Sequence, residues 1–213
     1  MNHDMTDMRK SYEKYTLSEE DAGLDPILFF QKWFSQAKEE KAEEPNAMVL
    51  STVNADGQPS SRVVLLKEIA DGEFVFYTNY DSRKGKEMAH NPKVALTFFW
   101  HHQERQIRIE GTVTKVSKET SLLYFAKRPR VSQLGALASN QSRVVPDRLY
   151  LETILAKLEK DLEGKPVPMP EAWGGYCVNP SLIEFWQGRQ GRLHDRLEFV
   201  KTNEGWRRQR LSP

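Results

Sequence analysis

The sequence predicts a mainly β, α+β protein: an antiparallel barrel carrying peripheral helices. Three observations point there. About five runs with the two-residue period of strands fall between residues 47 and 116, the turns that join them are short, and the helical stretches are inserted between groups of strands. A doubly wound parallel sheet would need helices alternating with single strands, and that pattern is missing.

Residues 1–23 carry no sustained apolar periodicity and read as a mobile arm, followed by a single domain over 24–213. Asp25-Pro26 opens a helix as N-cap and first-turn proline, with Ile27, Phe30, Phe34 and Ala37 as its apolar face. The charged run to Glu44 is a solvated end, and Pro45 closes the segment. Strands follow at 47–54, 59–67 and 73–79, separated by turns at NADGQ and at Asp71-Gly72. A short helix starts at Ser82-Arg83 and ends near Asn91-Pro92, and strands at 93–100 and 105–116 come next.

Helices are expected at 118–126, from Pro129 toward Ala138, and at 147–162, the last with Leu151, Ile154, Leu158 and Leu162 on one face. A proline-rich connector spans 166–170. Strands resume at 173–178 and 181–186, and a terminal pair at 193–202 and 206–211 turns through Asn203-Glu204-Gly205.

The 213 residues are 38% hydrophobic and 29% charged, which excludes a disordered or coiled-coil chain. Because 31 Lys+Arg nearly cancel 30 Asp+Glu, the net charge of +1 supplies no global field for nucleic acid or an anionic membrane. Any anion must be met by local clusters. Cys177 is the only cysteine, so an intrachain disulfide is impossible and a reducing, cytoplasmic setting is expected. No apolar run reaches the roughly 18 to 20 residues of a membrane helix.

Four clusters stand out as candidates for chemistry. The first, RVVLLK at 62–67, puts Arg62 and Lys67 at the ends of four apolar residues, as in a strand buried on both faces. Fully extended, it would hold the two cations roughly 16 Å apart, a span suited to an elongated ligand with an anionic end. A strand whose charged ends simply reach water would read the same. In the second, YTNYDSRK at 77–84, Asp81 or Ser82 caps a helix whose free amides lie beside Arg83 and Lys84, the ingredients of a phosphate site. Cations in a first turn oppose the helix dipole, so an anion would give them a reason, although a solvated face is the alternative.

In the third, IEFWQGRQGRLHDR, the residues Arg192, His194 and Arg196 would share one strand face with Trp186 nearby as a stacking surface. Such a face needs an anion or electron-rich ligand, unless acidic neighbours pair with it as on an ordinary edge strand. In the fourth, Tyr124, Arg128 and Ser132 recur every four residues, which would align a phenol, a guanidinium and a hydroxyl for a second phosphate, or leave a tyrosine packed on a helix surface.

Weaker signals carry less. His101-His102 would point to opposite strand faces without a third ligand, so no metal is expected. Cys177 reads as a small buried hydrophobe. The basic tail Arg207, Arg208 and Arg210 could serve a nucleic-acid or interaction module, but it lacks interleaved aromatics.

Taken together, RVVLLK, FYTNYDSRKG, ERQIRIEG, YFAKRPRVSQLGA, SNQS and IEFWQGRQGRLHDR occur in an order that resembles the pyridoxine/pyridoxamine 5'-phosphate oxidase family, from MRKSY at 8–12 to the final RLSP. The resemblance implies an FMN-binding split β-barrel and a homodimer with FMN at the subunit interface. It also implies oxidation of pyridoxamine 5'-phosphate and pyridoxine 5'-phosphate to pyridoxal 5'-phosphate, with O2 reduced to H2O2. The runner-up is another FMN split-barrel flavoprotein, reductase-like or flavin-storing, without vitamin oxidation.

By the same resemblance, FMN contacts fall on Arg62, Val63, Val64, Leu65, Leu66, Lys67, Tyr77, Thr78, Arg83, Lys84, Gln106, Gln141, Ser142, Trp186 and Arg196. Substrate contacts fall on Lys67, Tyr124, Arg128, Ser132, Arg192 and His194, with Arg9 and Tyr12 of the arm as a lid. Arg192 and His194 are the implied catalytic pair, orienting the ring and assisting proton loss. Arg189 to Gly191 form a spacer in which the family tolerates variation.

Overall fold

The computed structural model describes Met8 and residues 10–213, so Arg9, expected in the lid, lies outside the described residues. The elements, in chain order, are α1 (Glu19–Ala22), α2 (Pro26–Glu39), β1 (Ala47–Val53), β2 (Pro59–Leu65), β3 (Glu68–Ala70), β4 (Glu73–Asn79), α3 (Arg83–His90), β5 (Lys93–Trp100) and β6 (Arg105–Lys115). They continue with α4 (Lys118–Lys127), α5 (Arg130–Ala138), α6 (Arg148–Asp161), β7 (Trp173–Gln187), β8 (Asp195–Thr202) and β9 (Gly205–Arg210). The strands form one sheet in the order β2-β1-β5-β6-β7-β4-β3, with β8 on β7 and β9 on β8. The pairs β3/β4, β4/β7, β7/β8 and β8/β9 are antiparallel, as the α+β reading requires. Among the described residues no helix is long and apolar enough to cross a membrane.

The chain divides into two compact units, although 24–213 reads as one domain in the sequence. The first takes residues up to Val49, Ala95–Glu110 and Pro180–Pro213; the second takes Leu50–Val94 and Gly111–Asn179. In the first unit α2 is capped as expected: Asp25 Oδ1 accepts from the Ile27 and Leu28 amides at 2.8 and 3.2 Å. Its buried face is Phe29, Phe30, Trp33 and Ala37, whereas Ile27 and Phe34 are only half-buried. The face is rotated because Trp33 and Phe29 both pack on Phe185, at 5.3 and 4.6 Å between ring centroids, while Phe30 meets Phe98 at 5.1 Å. Each such ring contributes roughly 2 to 3 kcal/mol by leaving water.

The stretch expected as part of a mobile arm includes α1, which carries a capping box between Ser18 and Asp21. Leu17 and Ala22 on either side are buried, so this end of the arm is packed. The terminal arginines are not a free tail either. They lie on β9, where Arg208 Nη1 donates to the carbonyls of Glu19 and Gly23. Arg210 reaches Glu19 at 2.7 and 2.8 Å and Asp195 at 2.9 Å.

The second unit packs Phe125, Leu134, Val167 and Trp173 into a cluster covered by Tyr77, Tyr124 and the α6 residues Leu155 and Leu158. The α6 face is thus on the expected side, but no residue of that helix is fully buried. RVVLLK is not buried on both faces: Val63 is 65% exposed, while Leu66 is buried. Here β2 ends the strand order and has one sheet neighbour, so an apolar run does not imply two covered faces.

Candidate functional site

The second unit holds a cavity of about 1060 Å³. Its walls come from residues 60–65 of β2, Lys67, the end of β4, the first turn of α3, the α4–α5 junction, the 139–142 loop and Trp173. Six cations line it: Arg62, Lys67, Arg83, Lys84, Lys127 and Arg128. No carboxylate is among its described lining residues, so the charged groups of the wall are all positive.

The helix that supplies Arg83 and Lys84 starts where it does because Ser82 Oγ accepts from the Gly85 amide at 3.2 Å. Gly85 is required there, since a Cβ would stand 2.0 Å from the Tyr80 carbonyl oxygen. Behind the cations sits Glu87, 5% exposed, which accepts from Arg62 Nη2 at 3.2 Å and from Arg83 Nε at 2.9 Å. Ser60 Oγ donates to the same carboxylate at 2.8 Å, and Thr52 does so as well. Burial alone would raise the Glu87 pKa, but the hydrogen bonds and the Arg62 charge hold it at about 2.

Lys84 is 9% exposed, and its Nζ donates to Gln141 Oε1 at 2.7 Å and to Thr78 Oγ1 at 2.9 Å. Burial, then the neighbouring Arg62, pushes its pKa down to about 8. Ser142, beside Gln141, takes a left-handed φ of 69°, the kind of backbone strain that gathers at ligand sites.

An aromatic wall faces this donor set. Tyr77 stacks on Tyr124 at 3.9 Å and 15°, and on Trp173 at 5.5 Å and 12°. Arg128, the last residue before Pro129 at the α4–α5 junction, lies over the Trp173 ring at 4.8 Å. Its Nη1 is buried with no hydrogen-bond partner among the described residues, and burial lowers its pKa from the usual guanidinium value. A buried guanidinium N–H without an acceptor costs free energy unless a ligand supplies one. Ser132 lines the same wall. The chemistry of the set therefore fits a flat ligand bearing anionic oxygens.

The cavity brings together Arg62, Val63, Val64, Leu65, Lys67, Tyr77, Thr78, Arg83, Lys84, Tyr124, Arg128, Ser132, Gln141 and Ser142. Leu66 is the exception, its side chain buried and absent from the lining.

The remaining expected residues belong to the first unit. Gln106 is half-buried on β6. Trp186 and His194 pack with ring centroids 4.6 Å apart, and Tyr12 sets its ring at 5.8 Å and 88° to Trp186 and 5.9 Å from His194. Gly188 permits this, because a Cβ there would lie 2.7 Å from Tyr12 Cγ. His194 Nδ1 accepts from the Arg189 amide at 3.1 Å, and burial and then Arg192 lower its pKa below the usual imidazole value.

The third cluster does not form one strand face. Gly191 and Arg192 both adopt φ of 62°, which breaks the extended chain, and β8 begins only at Asp195. Arg196 is already paired: its Nε and Nη2 grip Glu184 at 2.8 and 3.0 Å, in the bidentate manner of a guanidinium and a carboxylate. Arg108 Nη1 shares that carboxylate at 3.0 Å. The acidic neighbour left open as an alternative is the one observed.

Two groups escaped the sequence reading. Glu87 stands four residues after Arg83, a helical pairing that spacing alone could have suggested. Glu184, a lone charge inside the apolar run LIEFW, carried the signal of a buried, paired carboxylate.

Two family models match the chain, and neither boundary coincides with the division into units. The model of a family described as pyridoxamine 5'-phosphate oxidase matches residues 34–160. A second, described as the pyridoxine 5'-phosphate oxidase C-terminal dimerisation region, matches 173–213. A pyridoxine/pyridoxamine 5'-phosphate oxidase of Leptospira biflexa is 62% identical over 211 residues, covering 99% of this chain and 100% of its own. One of Rubrobacter xylanophilus is 53% identical over 210 residues, covering 99% and 97%. Among solved structures, PhzG from Burkholderia lata, in complex with tetrahydrophenazine-1-carboxylic acid, superposes with a TM-score of 0.89 at 28% identity, covering 96% of this chain and 100% of its own. A pyridoxamine 5'-phosphate oxidase-related, FMN binding protein from Nostoc punctiforme shares the fold at a TM-score of 0.71 and 13% identity, covering 90% and 99%.

Proposed function

The chain belongs to the pyridoxine/pyridoxamine 5'-phosphate oxidase family, and from that membership we propose that its cavity holds FMN and a phosphorylated B6 vitamer. It is an oxidoreductase with the split-barrel type of fold, converting pyridoxine 5'-phosphate and pyridoxamine 5'-phosphate to pyridoxal 5'-phosphate. The observation that carries the site reading is the carboxylate-free cavity of six cations with the unpaired Nη1 of Arg128 in its wall.

In this reading Arg62, Arg83 and Lys84 hold the phosphate of FMN, with Thr78, Gln141 and Ser142 as neutral donors beside them. Val63 to Leu65 line the ring path, and Lys67 closes it. When bound, FMN would supply the two-electron acceptor for oxidation at C4′ of the substrate, with O2 as the final acceptor and H2O2 as its product. The substrate phosphate falls to Lys67, Tyr124, Arg128 and Ser132, so that the vitamer is positioned by its charged end. Arg192 and His194 orient the reacting end, and Tyr12, packed on Trp186 and His194, covers it.

Leu66, Gln106, Trp186 and Arg196 belong to the cofactor set on family grounds. Leu66 serves there as packing, and Arg196 through its tie to Glu184. The working form is a homodimer, in keeping with the description of the family matched by residues 173–213, with FMN at the subunit interface and the enzyme in the cytoplasm.

The test is the visible spectrum of desalted protein reconstituted with FMN, recorded before and after anaerobic addition of pyridoxine 5'-phosphate. Flavin bands that bleach support both cofactor and reaction. Bands that persist leave a flavoprotein without vitamin oxidation, and no bands after reconstitution overturn the cofactor reading.

A further inference from the structure

His194 is the titratable member of the pair assigned above to the reacting end, and its hydrogen bonding restricts what it does there. The Arg189 main-chain nitrogen lies 3.1 Å from Nδ1. A peptide N–H only donates, so Nδ1 must present its lone pair to it, and the neutral ring carries its proton on Nε2. Turning the ring over would set a C–H against that N–H and lose the bond. In this arrangement neither nitrogen offers a free lone pair: Nδ1 is engaged and Nε2 is protonated.

Packing holds the ring in this pose. Trp186 lies 4.6 Å from it and Tyr12 5.9 Å. The loop that brings the Arg189 amide is pinned through its side chain, since Arg189 Nη1 meets Asp195 Oδ2 at 3.1 Å. Asp195 is held in turn by Arg210 at 2.9 Å and by the Leu17 amide at 3.2 Å. The charged groups around the imidazole are thus Arg189, Arg192 and Asp195, two cations and an acid that is already paired.

We propose that His194 acts on the substrate as a hydrogen-bond donor through Nε2–H, with Arg189 as the positioning residue through its main-chain amide, and that His194 is not the base that removes the substrate proton. Because the contact is made by the main chain, any residue but proline at 189 supplies it. The Arg189 side chain adds only the ion pair with Asp195 that steadies the loop. The inference rests on the site reading given above, since it assumes that His194 meets the vitamer.

The experiment uses the full chain reconstituted with FMN. Nitrogen-15 NMR of the His194 ring near neutral pH, with His194→Gln to assign the signal, reads the tautomer without reference to activity. A protonated Nε2 and an unprotonated Nδ1 are expected, and the reverse tautomer overturns the proposal. Turnover of His194→Gln and His194→Ala then tests the role, because the glutamine amide donates from about the position of Nε2 but cannot serve as a base. The glutamine variant is expected to keep turnover within about tenfold of the unaltered chain while alanine loses about a hundredfold or more, the usual scale of a lost preorganised hydrogen-bond donor. Equal losses in the two variants overturn the donor role. Failure of the flavin to bleach in the unaltered chain would instead refute the functional reading and leave the tautomer result standing.

Discussion

Glu87 holds Arg62 at 3.2 Å, joining a guanidinium of β2 to a buried carboxylate of α3 on the cavity's outer side. The same carboxylate takes Arg83 at 2.9 Å, so two of the cations assigned to the cofactor phosphate are aimed by one acid that does not line the cavity. An ion pair this buried contributes more by orientation than by net stability.

Replacing Glu87 with alanine leaves the Thr52 and Ser60 hydroxyls without their acceptor and takes the carboxylate from Arg62 and Arg83, although Arg62 keeps the Leu50 carbonyl and the Thr52 and Ser60 oxygens. Unsatisfied buried donors cost about 1 to 3 kcal/mol, so FMN affinity should fall by about tenfold or more and the melting temperature should drop by several degrees. Fluorescence titration of FMN and thermal unfolding measure the two, and an unchanged affinity in Glu87→Ala would refute the aiming role.

Lys84 predicts a pH dependence. Its pKa is lowered to about 8 in the folded chain against an ordinary 10.5, so the empty cavity loses this positive charge as pH rises through 8. FMN binding should weaken by several-fold between pH 7 and 9, and Lys84→Met should bind more weakly at pH 7 with a flatter slope. Stability moves the other way: the unfolded chain binds this proton more tightly between about 8 and 10.5, so the contribution of Lys84 to stability rises with pH across that window. Identical slopes in the two proteins would remove Lys84 from the phosphate site.

Gly85→Ala puts a methyl group 2.0 Å from the Tyr80 carbonyl oxygen and 2.5 Å from its carbon. Neither atom belongs to a side chain that can swing away. A loss of about 3 kcal/mol is expected, which for a chain of this size lowers the melting temperature by roughly 6 to 12 °C. A calorimetric midpoint within a degree of the unaltered chain would contradict the close approach.

The two clusters should separate in function. Arg83→Ala should mainly reduce FMN content, whereas Arg192→Leu should keep the flavin and lose turnover. Flavin stoichiometry and steady-state rates on both variants decide this, and parallel losses in each would sink the division of labour.

The elements were legible in the sequence where one local rule governs them. Period-two strands, Asp25-Pro26, Ser82 and the Asn203-Glu204-Gly205 turn all formed as local chemistry dictates. Strand β7 was not, because Asn179-Pro180 reads as a break. Its pairing to β4 ends at Val178 and its pairing to β8 starts at Leu182, so proline falls in the gap between partners, where its missing N–H is tolerated.

At the site, the cations of the cavity were visible as clusters of like charge. The partner of Arg62 was not, since Glu87 meets it across twenty-five residues, and in the first unit Glu184 meets Arg196 across twelve. The Arg189 amide left no trace at all, for every residue except proline carries one.

The way the two units draw on the chain bears on how the protein emerges during synthesis. All residues of the second unit precede Pro180 in the chain, so they leave the ribosome before the first unit can be completed. The first unit must wait for β8 and β9. Until they arrive, Phe185 lacks Phe199 as its neighbour and the nascent chain shows an unfinished apolar surface. A pause in translation late in the message would therefore prolong exposure of this one region, and molecular chaperones that capture apolar segments would find their target in α2 and the second half of β7.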